Sequence, residues 1–257
     1  FDGDQWQQRD DFPGGTRADA SAAYDQGAGV MVVFGGSAQG GSIAGGIDDG
    51  LSALDDTWIF DGSTWTLGAS GPPARAGAAM AYDESRHGIV MFGGVADGNF
   101  LDDTWLFANG TWSALPLAGP EPMANAALVP DPTGNLLLLP GRIDLEAGFF
   151  GSEWLLGAAP AGFTFDGSSS GISLPYSAAV EDAATHKLVI VGGLDFSTAA
   201  GSKKTLVSDN AGIVRTAGTP PPTSAQLSQS TGLAMHFGAL AAGGLEQLVF
   251  LDTLATG

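Results

Sequence analysis

Apolar residues along this chain come in short runs of four to seven, each closed off by glycine, proline, aspartate, asparagine or serine. Val30 to Phe34, Gly88 to Phe92 and Leu136 to Leu139 are nearly continuous in apolar character, whereas Ala76 to Tyr82 is built mostly of small residues. Runs of this length, rich in Val, Ile, Phe and Trp between turn formers, predict strands. No segment carries a helical period over the length of an ordinary helix, so the pattern predicts an all-β chain.

The runs recur in a fixed order. Ala81-Tyr82-Asp83, Gly88 to Gly94, Leu101-Asp102-Asp103-Thr104-Trp105-Leu106-Phe107 and Asn109-Gly110-Thr111-Trp112 repeat Ala23-Tyr24-Asp25, Val30 to Gly36, Leu54-Asp55-Asp56-Thr57-Trp58-Ile59-Phe60 and Asp61 to Trp65. Three looser copies follow: Asn135 to Gly141 with Glu153 to Leu156 and Gly162-Phe163; Lys187 to Gly193 with Lys204 to Asn210; and Leu233 to Gly238 with Leu245 to Phe250. The apolar residues that precede the glycines, Phe34, Phe92, Leu139, Val191 and Phe237, are 58, 47, 52 and 46 residues apart. A period near 50 with four short antiparallel strands per copy is that of a β-propeller blade.

Phe1-Asp2-Gly3-Asp4-Gln5-Trp6 matches Phe60 to Trp65, while the fifth copy ends after Phe250 where that piece should follow. The N-terminal strand can therefore complete the last blade and close the ring, which removes free sheet edges. The expectation is a single domain over residues 1–257 with five blades, or six if the degenerate third copy hides another sheet.

A Gly-Gly pair after an apolar strand, then an aromatic residue followed by Trp five positions later (Phe60 and Trp65; Phe107 and Trp112), resembles the kelch repeat. The resemblance is strongest over residues 17–112 and looser beyond. It implies a propeller, often six-bladed, and in some members arginines at the entry to the inner strand line a ligand-binding face. Arg17 and Arg75, seven residues before Tyr24 and Tyr82, hold that position here.

Composition narrows the partners. Lys and Arg number 9 against 28 Asp and Glu, a net charge of −19 that repels phosphate backbones and anionic membrane surfaces. Nucleic acid is not an expected partner, and no apolar run approaches the length of a membrane-spanning helix. With no cysteine, disulfides, thiolate metal sites and cysteine nucleophiles are excluded. The copper chemistry of kelch oxidases is disfavoured with them, because it uses a tyrosine joined to a cysteine. The chain opens at Phe1 without a basic-then-apolar leader, which fits a processed secreted or cell-surface protein or a trimmed chain.

Most of the chemistry-bearing residues repeat with the copies, and repetition argues for structure. The Gly-Gly pairs read as turns, since no helix follows to cradle a phosphate. Asp55-Asp56 and Asp102-Asp103 read as turn-binding carboxylates rather than a catalytic pair, and the tryptophans as packing between blades. His87 and His186 align in one turn and read as solvated, with no recurring third ligand for a metal, while His236 reads as a satisfied strand residue. Asn109-Gly110-Thr111 matches a glycosylation sequon but occupies the repeat's turn before Trp112.

Candidate ligand-binding residues are those at the strand entries, Arg17, Asp19, Arg75, Asn125 and Tyr176, and those in the variable segments after the Gly-Gly turns, Arg142, Phe149, Phe150, Asp195 and Phe196. A guanidinium suits a carboxylate, and the alternative for each arginine is a pairing with one of the chain's own acids. Asp19, Asn125 and Tyr176 are polar exceptions among small residues and are expected to point into a central channel. These features favour a non-catalytic extracellular module that binds a protein or glycan, without metal or cofactor. The alternatives are a hydrolase or lyase at the channel mouth using Asp19, Glu146 or His236, and a structural subunit that self-assembles. The inner strands lack the facing carboxylates of a glycosidase, and no Gly-x-Ser-x-Gly elbow is present.

Overall fold

The computed structural model describes residue 8, residues 11–38, 52–130, 133–141 and 153–165, and the strands at 177–182, 187–192, 194–195, 200–201, 205–208, 214–216 and 234–236. Among the described residues every regular element is a strand. The first repeat forms β1 (Ser21–Asp25), β2 (Val30–Phe34), β3 (Thr57–Phe60) and β4 (Trp65–Leu67). The second forms β5 (Ala79–Asp83) and β6 (Gly88–Phe92), a small hairpin of β7 (Val95–Ala96) and β8 (Asn99–Phe100), then β9 (Thr104–Ala108) and β10 (Thr111–Leu115). The third gives β11 (Ala127–Pro130), β12 (Leu136–Leu139), β13 (Trp154–Leu156) and β14 (Phe163–Phe165). The fourth gives β15 (Ser177–Asp182), β16 (Lys187–Gly192), the hairpin β17 (Leu194–Asp195) and β18 (Ala200–Gly201), β19 (Thr205–Ser208) and β20 (Val214–Thr216).

Each repeat is an antiparallel four-strand meander with one register. Ser21 faces Phe34 and Phe34 faces Thr57 in the first repeat, as Ala79 faces Phe92 and Phe92 faces Thr104 in the second. Local chemistry sets the turns. Asp25 Oδ1 accepts the backbone N–H groups of Gly27 and Ala28, and Asp83 Oδ1 accepts that of Arg86. Asn109 and Gly110 both take positive φ, 53° and 76°, between β9 and β10, the two-residue turn that matches strand twist. The segment after Gly93-Gly94, expected as a loop, pairs with itself as the β7–β8 hairpin.

The sheets pack face to face in chain order. Met80, Ile89, Met91 and Phe107 of the second sheet meet Ala23, Val32 and Phe34 of the first, while its alternate residues Ala79, Ala81, Val90 and Phe92 meet Leu128, Leu138 and Leu156 of the third. Ala127, Val129 and Leu139 meet Ala179 and Ile190 of the fourth group. Both faces of β5, β6, β11 and β12 are thus buried, so these strands read as apolar runs rather than an in-out alternation. The first strands lie side by side, β1 against β5, β5 against β11 and β11 against β15. Alanines along β1, β5 and β11 let them approach.

The last strand departs from expectation. β21 (Ala234–His236) was expected to pair within a fifth repeat of its own; instead it lies antiparallel between β1 and β15, with Ala234 opposite both Ala23 and Ala179. The open inner edges of β1 and β15 leave backbone donors and acceptors without partners, and a strand between them satisfies both rows. β21 thereby joins the first and fourth groups into one nine-stranded sheet. Phe1 to Trp6 and Leu245 to Phe250, on which the closing strand and the fifth repeat rest, lie outside the described residues.

Candidate functional site

The end of the sheets that carries the Gly-Gly turns is organised by arginine. Arg17, just before β1, makes a two-pronged ion pair with Asp56, 2.7 and 2.8 Å, and donates to the Gly35 carbonyl at 2.9 Å and to that of Gly14. Its guanidinium lies 4.9 Å from the centre of the Phe12 ring. Arg75, before β5, repeats the arrangement with Asp103 and the Gly93 carbonyl, and its Nε donates to Pro73. The same carboxylates accept a tryptophan: Trp58 Nε1 donates to Asp56 Oδ2 and Trp105 Nε1 to Asp103 Oδ2, each at 2.6 Å. Burial opposes ionisation of Asp56 and Asp103. The arginine and tryptophan hydrogen bonds and the arginine charge outweigh it, and both carboxyls stay below the usual range.

This module also joins one repeat to the next. Gly36 N–H donates to the Arg75 carbonyl at 2.9 Å, and Arg75 N–H donates to Leu54 at 3.1 Å. Gly94 N–H and Met123 N–H do the same one repeat later, with Met123 and Leu101. Gly35 and Gly93 take φ of 63° and 69°, and a Cβ on either would collide with the carbonyl of Arg75 or Met123. Their role is the turn read from the sequence, with a close backbone approach added.

The third repeat solves the same problem differently. Met123 stands where Arg17 and Arg75 stand, and Ser152 where Asp56 and Asp103 stand. Without that carboxylate, Trp154 Nε1 donates to Glu121 Oε2 at 3.1 Å. A second change is seen at the outer strand. Trp112 Nε1 donates to Thr57 Oγ1 of the preceding sheet at 2.9 Å, whereas Phe163 packs in the corresponding place against Phe92, 5.4 Å between ring centres. Phenylalanine has no N–H, and the buried Thr104 Oγ1, equivalent to that of Thr57, has no partner.

Next to these modules runs a row of left-handed residues. Asp19, Gly77 and Asn125 hold equivalent positions at the starts of β1, β5 and β11, with φ of 51°, 63° and 56°. Gly77 N–H donates to the Asp19 carbonyl at 2.8 Å and Asn125 N–H to the Gly77 carbonyl at 2.7 Å, so the row links three repeats. Asp, Gly and Asn tolerate this conformation best. Asp19 and Gly77 each lie one residue beyond a position bridged to the segment after the Gly-Gly turn, Ala18 to Ser37 and Ala76 to Val95. Asp19 and Asn125 are buried, and a Cβ on Gly77 would run into the Asn125 side-chain oxygen.

Of the residues singled out from the sequence, Arg17 and Arg75 turn inward, with exposures of 6% and 1%, and pair with the chain's own acids, the alternative weighed for them. The structure brings Asp19 and Asn125 together along the Gly77 row. Asp195 is described only as part of β17, and Arg142, Phe149, Phe150, Tyr176 and Phe196 lie outside the described residues. Of the residues weighed for catalysis, Glu146 lies outside as well, and His236 is described only as part of β21. Among the described residues no group of His, Asp or Glu has the arrangement of a metal site. Gly77, Thr57 and Glu121 were missed; the first is visible only by aligning it with Asp19 and Asn125, and the other two carry no local signal.

No family model and no curated protein matches the chain. Among solved structures, one named YjhT aligns with a TM-score of 0.61 at 13% identity, over 84% of this chain and 68% of that one. Likeness at that identity means a shared fold and carries nothing about activity.

Proposed function

We propose that the chain is a kelch-type β-propeller, five-bladed, that acts as a non-catalytic recognition module and presents the segments after its Gly-Gly turns to a protein or glycan. The ring reading is supported by sheets that pack face to face in chain order and by β21 between the first strands of the first and fourth groups. One observation carries the functional part. In both well-marked repeats the side chains able to do chemistry, Arg17, Asp56 and Trp58 and then Arg75, Asp103 and Trp105, are engaged with one another inside the module. What differs between repeats is the segment after the glycines, and variation on a constant scaffold is where selectivity resides.

The test is binding of the intact chain to a glycan array and to a protein library, with Arg142, Phe149 and Phe150 changed together to alanine, and separately Asp195 and Phe196. A specific ligand whose affinity falls at least tenfold in one variant at unchanged thermal midpoint is the expected result. Catalytic turnover of a bound ligand, or loop variants that bind as the parent does, would overturn the reading.

A further inference from the structure

The turn between β9 and β10 presents a carboxamide that the fold does not use. Asn109 is the one asparagine of the chain that precedes a glycine. Asn109 and Gly110 are both exposed, and a Cβ on Gly110 would meet nothing within 4 Å. Among the described residues neither the Asn109 side chain nor the Gly110 N–H takes part in a hydrogen bond. The first repeat engages its equivalent residue fully. Asp61 Oδ1 accepts the Thr64 and Ser63 N–H groups, both at 2.8 Å, and these bonds keep the carboxyl below its usual range and so ionised. The other described asparagines are held or enclosed: Asn99 Nδ2 donates to the Asp97 carbonyl, Asn135 Nδ2 donates to Thr133 while its Oδ1 accepts the Ala158 N–H, and Asn125 is buried.

We propose that Asn109 is a spontaneous modification site, at which the Gly110 backbone nitrogen attacks Asn109 Cγ and the asparagine becomes aspartate and isoaspartate. Water is the only other reactant. The N–Cγ bond forms as the Gly110 nitrogen gives up its proton and the Cγ–Nδ2 bond breaks, so that Nδ2 leaves as ammonia. Water then opens the cyclic imide. Cleavage at Cγ gives aspartate with the original main chain, and cleavage at the Asn109 carbonyl carbon gives isoaspartate, whose main chain runs through Cβ. No side chain crowds the attacking nitrogen, and no bond from the described residues holds the leaving amide. The turn itself opposes the step. An imide ring eclipses the Gly110 nitrogen with Asn109 Cβ, a ψ outside the left-handed well in which φ of 53° and 76° place the two residues, so reaction proceeds from local openings of the turn. The two products differ in fit. Asp97-Gly98, with φ of 48° and 73°, makes the same two-residue turn between β7 and β8, so aspartate at position 109 is accommodated. Isoaspartate lengthens the main chain of that loop by a methylene. It works against the pairing of Thr111 with Ala108 and of Trp112 with Phe107, and through Trp112 against the 2.9 Å bond to Thr57 of the first sheet.

The experiment is incubation of the intact folded chain at mildly alkaline pH, beside the same chain unfolded in urea, with peptide mapping by mass spectrometry over time. Enzymatic methylation counts the isoaspartyl groups. In the folded chain the peptide that contains Asn109 is expected to convert at least tenfold faster than those that contain Asn99, Asn125 or Asn135, with one ammonia released per conversion. Unfolding is expected to speed the Asn109 reaction at least tenfold. Asn109→Asp should keep the parent's thermal midpoint, whereas the isoaspartyl fraction, separated by ion exchange, should melt lower. The inference is overturned if Asn109 converts no faster than the other three asparagines, if folded and unfolded chains convert it at one rate, or if the isoaspartyl fraction is as stable as Asn109→Asp.

Discussion

Removing Asp103 should cost more than removing its partner Arg75, because the buried charge of the pair is on the arginine. Arg75 is 1% exposed and Asp103 41%. Asp103→Ala leaves a guanidinium inside the protein with two of its bonds gone, and leaves the Trp105 N–H without its acceptor. Breaking a buried pair from one side costs about 3–5 kcal/mol, and water reaching the Asp103 position offsets part of that, so about 2–3 kcal/mol is expected. Arg75→Met, which copies Met123, leaves a carboxylate that water can solvate and strips a donor from the Gly93 and Pro73 carbonyls, a loss of about 1–2 kcal/mol. The double variant Arg75→Met with Asp103→Ser, the pairing of Met123 and Ser152, strands no charge and should recover at least about 1 kcal/mol relative to the sum of the singles. Urea unfolding followed by tryptophan fluorescence gives these values from the shift in midpoint at constant m. The reasoning is refuted if Asp103→Ala lies within about 0.5 kcal/mol of the parent, or if Arg75→Met is the more damaging of the two singles.

Three other outcomes are expected. Thr57→Val should cost about 1 kcal/mol because it removes the acceptor of Trp112, while Thr104→Val, which removes an unpartnered hydroxyl, should be neutral or stabilising; equal losses in thermal midpoint would contradict the account of Phe163. Because the folded pKa values of Asp56 and Asp103 lie below the unfolded carboxylate value of about 3.9, their contribution is fully present above that pH and is lost as pH falls through the folded pKa values. The gap in thermal midpoint between parent and Asp56→Asn or Asp103→Asn should therefore narrow from about pH 6 to about pH 3, and a gap independent of pH would exclude an ionic origin. Gly98→Ala has a φ of 73° and open space, so it should cost only the left-handed conformation, about 1–2 kcal/mol, whereas Gly93→Ala, at φ 69° against the Met123 carbonyl, should cost more; urea midpoints measure the difference.

Much of this fold is legible in the sequence because its causes are local. The strand runs, the Asn109-Gly110 turn and the left-handed glycines Gly35 and Gly93 each follow from a few adjacent residues, and the period multiplies that signal. Repetition also pointed to the tryptophans as packing residues and to the Asp55-Asp56 and Asp102-Asp103 pairs as structural groups that bind the turn, whereas the second aspartate of each pair binds an arginine and a tryptophan. That Asp56 and Asp103 hold Arg17 and Arg75 across 39 and 28 residues was open in the sequence, where each arginine could face a ligand or an acid. Distance along the chain carries no information about which of the two a guanidinium meets. The register of repeats decides it, because the Gly-Gly turn brings the entry of one strand against the start of the third.

The candidate site divides the same way. Asp19 and Asn125 stand out in the sequence as polar residues among small ones, but nothing local reveals that they share a left-handed backbone with Gly77, since a single glycine, asparagine or aspartate is compatible with many conformations. The interlocking of three strand entries imposes that conformation and buries both side chains. β21 is the other case: Leu233 to Gly238 reads as an apolar strand from its composition alone, and Ala234–His236 within it is a strand. Its neighbours are β1 and β15, because the free edges of those two strands offer two rows of backbone partners at once. Sequence determined which segments become strands and turns through short-range sterics and hydrophobic period, whereas tertiary structure decided which side chains are buried and paired, because that depends on contacts between segments dozens of residues apart.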